Sequence, residues 1–354
     1  MTEPRSNRGV TIYNVAEKAG VSISTVSLAL NSPTRVSPQT RAKVLAAADE
    51  LGFVPKAEAV TRARRGVGRV GVIAPFSSYP SFGRRLNGVF AELRDHPLEV
   101  VVFDHTSAAE ASSPLLAGLP IMRRLDGLII MALPLDEAVA RRLREQGLPT
   151  VLVESSRADF DCVCADDGTG GEIVARHLLE LGHQRFAYVG EQQRSHAYVS
   201  PSEQRLAGFQ RVIAASDASL PDDAIVLVPH GIETACAAGH ALLDRTEPPT
   251  AVFAYDDLLA AGVLKAARER GIPVPDRLAV VGFDGTDLAR ALDLTTVRQQ
   301  FEDSGRLAAR TLLEQLQGGP RTTRRVVLGL ELDVRGSSVP QRRSSAVPSR
   351  QRRR

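Results

Sequence analysis

The chain is poor in the residues that staple, stack or span. Of its 354 residues only three are cysteine and three methionine, tryptophan is absent, and aromatics make up 5%. Cys162, Cys164 and Cys236 give no disulfide framework and point away from an oxidising compartment. Cys162 and Cys164 alternate in DCVCAD, which puts both on one face of a strand as small core residues. Apolar runs of about 18 residues are missing, and MTEPRSNRGVTIYNVAEKAG lacks the apolar stretch of a secretory signal, so a cytoplasmic protein without membrane contact is expected. Chemical signatures are equally scarce. The seven histidines are scattered, and no HExxH, clustered Cys/His spacing or GxSxG elbow occurs, so no metal site, cofactor or enzyme is expected. The run DGTGG at 167–171 fits neither a Walker nor a dinucleotide fingerprint and reads as a helix N-terminus.

What the chain has is apolar bulk and an uneven charge. Hydrophobic residues make up 43%, enough for one or more large buried cores. The net charge of +3 conceals a division: residues 1–66 carry ten Lys/Arg against five Asp/Glu, and the last fourteen carry six Arg and no acid, leaving about −8 for the body between them. Basic ends on an acidic body suit contact with a polyanion at one end and a neutral or cationic ligand elsewhere. The Arg-rich tail itself reads as a solvated terminus.

Four segments follow from the patterning. Residues 1–54 are closely punctuated helices. Thr11 is a plausible N-cap for a stripe of Ile12, Val15, Ala16 and Ala19, Gly20 permits a turn, and Ser22 starts a second helix with Val26, Ala29 and Leu30 inward. Ser37-Pro38 starts a third, carrying Val44, Leu45, Ala48 and Leu51 to Gly52. Three helices with a short turn between the first two is the helix-turn-helix plan. Residues 55–67 read as a hinge or linker. In 68–336, apolar runs at 69–74, 98–103, 127–132, 150–154, 185–190, 251–255 and 278–283 alternate with amphipathic stretches such as 169–181, 203–215 and 257–270. That is parallel sheet covered on both faces, too large for one small doubly wound domain, so two lobes with a cleft are expected. Residues 337–354 form the basic tail.

The segments VTIYNVAEKAGVSISTVSLALN (10–31) and VSPQTRAKVLAAADELGFVP closely resemble the DNA-binding headpiece of the lac repressor/galactose repressor family. The resemblance continues through DGLII (126–130), HLLELGHQRFAYVG (177–190), RLAGF (205–209), VVGFDG (280–285) and LTTVRQQF (294–301), in family order to about residue 336. It implies an all-α helix-turn-helix headpiece followed by a two-lobed α/β effector domain like a periplasmic binding protein, with two doubly wound parallel sheets. It also implies a homodimer on double-stranded operator DNA, controlled by a small-molecule effector, a sugar or sugar derivative. Ile23, Ser24 and Leu28 would read bases. Thr11, Ser22, Thr25, Ser27, Asn31, Arg35, Ser37 and Thr40 would meet phosphate or groove edges.

Two departures from the family pattern matter. Leu28 stands where the family usually has an Arg able to grip guanine, so a half-site different from the commonest one is expected. Arg62 stands where relatives wedge a Leu into the minor groove, although Ala59 matches the family and keeps close approach possible. Arginine enters a narrow groove but does not unstack bases, so weaker bending of the operator is expected. Lys56, Arg64 and Arg65 would add phosphate contacts and a steep salt dependence.

Ligands of open α/β sheets sit at the carboxyl ends of strands. The polar residues there are Ser77 and Ser78, Glu154, Asp256 and Asp284, with Arg205 opening the helix of RLAGF. Carboxylates around one guanidinium fork suit hydroxyl-rich ligands. By resemblance Arg205, Asp256 and Asp284 match effector-binding positions, Asp256 replacing the usual Asn. Phe82 is a candidate apolar platform. The plainer reading is that each strand-end residue caps the helix after it. A transport-type sugar-binding protein would share the lobes but has no use for residues 11–53, and two carboxylates could in principle serve glycoside hydrolysis.

Overall fold

The computed structural model describes residues 10–31, 35–51, 53, 67–107, 109, 125–155, 157–193, 200–318 and 322–339. The hinge positions Lys56, Ala59, Arg62, Arg64 and Arg65 lie outside them.

The headpiece is three helices, α1 (Ile12–Ala19), α2 (Ile23–Asn31) and α3 (Pro38–Glu50). Each start is fixed locally. Asn14 Oδ1 accepts from the Thr11 amide and hydroxyl at 2.9 and 2.7 Å. Ser22 Oγ accepts from the Thr25 amide, and Ser37 Oγ from the Thr40 amide, both at 3.1 Å. Gly20, at φ +65°, ends α1 in the left-handed conformation that lets α2 turn away after two further residues. Val15, Ala16, Val26, Ala29, Val44 and Ala47 form the core. The third helix buries Ala47, while Leu45, expected inside, is only partly covered. Leu30 and Leu51 pack against the edge of this small, alanine-rich core.

The chain divides into two compact units: the first comprises the headpiece with residues 67–164 and 301–326, the second residues 165–300 with 327–339. In the first, β1 (Gly68–Ala74), β2 (Leu98–Asp104), β3 (Gly127–Met131), β4 (Thr150–Val153) and β5 (Asp161–Ala165) are parallel in the order β2-β1-β3-β4-β5, with β11 (Arg325–Leu328) at the edge beside β5. In the second, β6 (Phe186–Glu191), β7 (Ile225–Val228), β8 (Ala251–Ala254), β9 (Ala279–Asp284) and β10 (Thr295–Arg298) repeat that order as β7-β6-β8-β9-β10, and β12 (Glu331–Asp333) adds an antiparallel edge. Every residue of β3, β4, β6 and β8 is buried, the consequence of helices on both faces and the reason these strands read as unbroken apolar runs.

In each unit, one pair of helices beside a buried arginine is in main-chain contact. In the first, α4 (Ser81–Leu93) crosses α11 (Phe301–Leu316), and a β-carbon at Gly88 would collide with the Glu302 carbonyl, one at Gly305 with the Arg85 carbonyl. In the second, α6 (Asp167–Glu180) crosses α7 (Pro201–Ile213), where Gly171 meets the Arg205 carbonyl and Gly208 that of Gly168. The remaining α-helices among the described residues are α5 (Glu137–Glu145), α8 (Ile232–Leu243), α9 (Asp257–Glu269) and α10 (Asp287–Ala291).

Residues 337–339, expected in the tail, belong to the folded chain. Ser337 and Ser338 are buried, Ser337 donating to the Val280 carbonyl at 2.6 Å and accepting from the Thr295 amide at 2.8 Å, because the last turn closes the strand ends of β9 and β10.

Candidate DNA-binding face and ligand site

One face of α2 is spoken for by the core: Val26 and Ala29 are fully buried. At about 100° per residue, positions 23, 24, 27 and 28 occupy an arc of about 140° turned away from them. Ile23 is 41% and Leu28 37% exposed, Ser24 is exposed, and Ser27 is half-buried. Neither Ile23 nor Leu28 is part of the headpiece core. The hydroxyl residues gather at helix starts: Ser22 Oγ lies 2.8 Å from both Ser24 Oγ and Thr25 Oγ1, and Ser37 Oγ 2.8 Å from Thr40 Oγ1. They cap their own helices, and the partial positive charge of those N-termini suits phosphate. Thr11 and Arg35 are exposed, and Asn31 is the last residue of α2. Tyr13, not among the residues expected to meet DNA, is 67% exposed on α1 beside Thr11. An aromatic ring off the apolar stripe was the available signal.

At the carboxyl ends of the second sheet stands a cluster around Arg205, a side chain only 3% exposed. Its Nε donates to Asp167 Oδ1 at 2.7 Å and its Nη1 to the Tyr255 carbonyl at 2.6 Å, while Nη2 lies 3.6 Å from Asp284 Oδ1. The guanidinium carbon sits 3.6 Å from the centre of the Phe283 ring and 4.7 Å from that of Tyr255. Burial works against its charge, but Asp167, Asp284 and Tyr255 outweigh it and raise the pKa. Arg205 does not open its helix; it is the fifth residue of α7, which begins at Pro201 behind the Ser200 cap. Position 167, read only as part of a helix start, supplies its main partner, whereas Asp166 does cap α6 through the Thr169 amide.

Asp256 and Asp257 divide two tasks. Asp256 caps α9 through the Leu259 amide at 2.8 Å and turns its other oxygen to His230 Nε2 at 2.5 Å. Thus the capping reading holds for one oxygen only. Burial alone would lower the His230 pKa, but the hydrogen bond and charge of Asp256, with Glu191 and Asp284, push it up to about 9, making it an imidazolium at neutral pH. Asp257 accepts from Thr296 Oγ1 at 2.6 Å, the Thr286 amide at 2.7 Å and Thr286 Oγ1 at 2.8 Å. Burial raises its carboxyl to about 6 against those three bonds, and its neighbours make it a structural tie. Asp284 ends β9 at φ +104° and accepts from Gln299 Nε2 at 2.6 Å. A non-glycine residue in that region costs about 1–3 kcal/mol, a strain typical of ligand-holding positions.

The first unit carries a smaller counterpart. Arg85, three residues before Gly88 as Arg205 is before Gly208, donates from Nη2 to Glu154 Oε1 at 2.7 Å. Its guanidinium lies 4.5 Å from the Phe301 ring centre and 5.2 Å from that of Phe82. Glu154 follows β4 at φ +53°, and Phe82 is buried beneath the arginine. The exposed Ser77 donates its amide to Asp104 at 3.0 Å. No sequence argument picked out Arg85, His230, Glu191 or Gln299, although the repeated Arg-Leu-x-Gly of 85–88 and 205–208 marked the first.

Comparison with known proteins agrees with this geometry. Residues 11–56 match the bacterial regulatory proteins of the lacI family, and residues 175–338 the periplasmic binding protein-like domain. The chain is 30% identical over 339 residues to the HTH-type transcriptional regulator DegA of Bacillus subtilis, covering 93% of this chain and 98% of that protein. Among solved structures, the lac repressor dimer bound to operator and the anti-inducer ONPF matches with a TM-score of 0.68 and 26% identity over 94% of this chain and all of that one. The CelR–cellobiose complex matches at 0.67 and 28% over 93% and 100%. Among the described residues no helix is long and apolar enough to cross a membrane. With a headpiece that matches the family's own and 30% identity to a regulator along nearly its whole length, the chain belongs to the lacI family of transcriptional regulators.

Proposed function

We propose that this regulator is a dimeric repressor of the bacterial cytoplasm, which reads operator half-sites with Ile23, Ser24 and Leu28. It lets go when a sugar or sugar derivative engages the strand-end charges. The observation that carries the reading is the Arg205 cluster: a buried guanidinium with carboxylates on two sides and aromatic faces against it. A planar donor fork beside acceptor carboxylates satisfies a polyol's hydroxyls in both directions. Arg205, Asp256 and Asp284, with His230 beside them, bind the ligand, and Ser77, Phe82 and Glu154 are their counterparts in the first unit. The sugar-bound and operator-bound relatives support the same pairing of partners. Lys56, Ala59 and Arg62 form the hinge contacts to the operator.

Selection of bound DNA from a random pool, repeated with a panel of sugars, tests the whole reading. The expected outcome is a two-fold symmetric site whose recovery collapses with one sugar. No preference over bulk genomic DNA under any sugar overturns it.

A further inference from the structure

Away from the strand ends, α8 and α9 bring together a set of side chains that the regulatory mechanism does not use. The two helices approach closely because Gly262 faces the Ile232 carbonyl and Gly239 faces the Ala266 methyl, with no room for a larger side chain at either place. On the same helix pair, Cys236 and His240 stand one turn apart on α8 and Glu269 ends α9. Cys236 Sγ lies 3.6 Å from His240 Nε2 and 3.6 Å from Glu269 Oε2, and His240 Nε2 lies 2.9 Å from Glu269 Oε2.

These three separations lie near those of one face of a zinc tetrahedron. With Zn–S about 2.3 Å, Zn–N about 2.05 Å and Zn–O about 2.0 Å, tetrahedral angles put sulfur and nitrogen about 3.6 Å apart, sulfur and oxygen about 3.5 Å, and nitrogen and oxygen about 3.3 Å. Two edges agree to about 0.1 Å, and the third needs an opening of about 0.4 Å. We propose that Cys236, His240 and Glu269 form a three-ligand site for a zinc-class divalent cation, with its fourth position open. A thiolate, an imidazole and a carboxylate in tetrahedral array select zinc over magnesium or calcium. Cys236 is buried while His240 and Glu269 reach the surface, so the ion has both an anchor and an entry path.

Binding rearranges protons in a defined way. Arg270 Nε donates to His240 Nδ1 at 2.7 Å, and since arginine only donates, the ring proton of the metal-free protein is on Nε2, directed at Glu269. The ion takes Nε2, the proton moves to Nδ1, and Arg270 leaves that nitrogen while keeping Asp244, whose Oδ2 it holds at 2.6 Å. The Cys236 thiol, its pKa held up by burial and by Glu269, gives its proton to solvent. Lys265 stands 3.9 Å from Cys236 Sγ and 2.9 Å from Glu233 Oε2, so Glu233 retains the ammonium when the ion enters. The usual sequence signatures do not register the set because the third ligand comes 29 residues after the second, from another helix.

Cobalt is the probe. The full-length protein, stripped with chelator, is titrated with Co²⁺ and followed for a near-ultraviolet sulfur-to-cobalt charge-transfer band and the visible bands of tetrahedral cobalt, then challenged with Zn²⁺. Expected are saturation at about one ion per chain, displacement by zinc, loss of the band in Cys236→Ser, and weakening in His240→Ala by no less than the roughly 10–100-fold of a lost outer-shell partner. Arg270→Ala, which frees Nδ1, should tighten binding, a response that a purely structural role for these residues does not produce. Absence of the band, its persistence in Cys236→Ser, or an Arg270→Ala protein that binds no tighter overturns the proposal.

Discussion

Raising the pH should loosen the second unit through one histidine. The His230 pKa is lifted from 6.5 to about 9, so between those values the folded chain holds a proton that the unfolded chain releases. The contribution is therefore complete below about pH 6.5 and disappears as pH climbs past 9. At about 1.4 kcal/mol per tenfold change in proton affinity, it amounts to about 3 kcal/mol, and with only 9% of the side chain exposed, solvent screening takes little of it. His230→Gln keeps a hydrogen-bond donor toward Asp256 but cannot carry charge. Denaturant midpoints of the native protein and the variant, measured from pH 6 to 9.5, should converge as pH rises. Ring resonances supply an independent reading. Of seven histidines, His230 should titrate near 9, whereas burial moves His177 and His183 below their ordinary value. A His230 resonance titrating at or below 6.5, or a pH-independent gap between the two proteins, refutes the reasoning.

Arg205→Ala leaves Asp167 and Asp284 facing each other without their cation; a loss of about 3–5 kcal/mol from the second unit and of all effector response is expected by denaturation and operator titration. An intact effector response in that variant would remove Arg205 from the site. Gly208→Ala drives a methyl into the Gly168 carbonyl and should cost about 1–3 kcal/mol or more, read as a lower denaturant midpoint. Leu28→Arg should create a preference for guanine at one half-site position worth about 1–3 kcal/mol, visible in the sequences recovered from a random pool. With Arg62 in place of an apolar wedge, a circular-permutation gel should show less operator bending than Arg62→Leu produces.

The strands most visible in the sequence are those buried on both faces, since a helix layer on each side demands unbroken Val/Ile/Leu runs; β3, β4, β6 and β8 fall within a residue or so of their expected positions. The IVLV of β7 lies at an edge and is half-covered, and β10 with its two threonines carries little apolar signal, so neither was expected. At the proposed ligand site, Arg205, Asp256 and Asp284 could be found from motifs and, for the two aspartates, from their place after strands. Their partners could not. Asp167 meets Arg205 across 38 residues, Glu154 meets Arg85 across 69, and His230 meets Asp256 across 26, and pairing at such separations leaves no local trace. The family's preference for Asn at 256 also conceals what Asp achieves here: the second oxygen that charges His230.

Main-chain contact at Gly88 and Gly305, and again at Gly171 and Gly208, makes each arginine's address a matter of counting. Because carbonyls touch where side chains would ordinarily cushion the crossing, neither helix slides or rolls, and the residue one turn ahead of the glycine arrives at a fixed point in space. An engineer would therefore work around two immovable guanidinium groups: any replacement of Glu154, Asp167 or Asp284 must still answer the charge of Arg85 or Arg205, because neither arginine can swing away to find another partner.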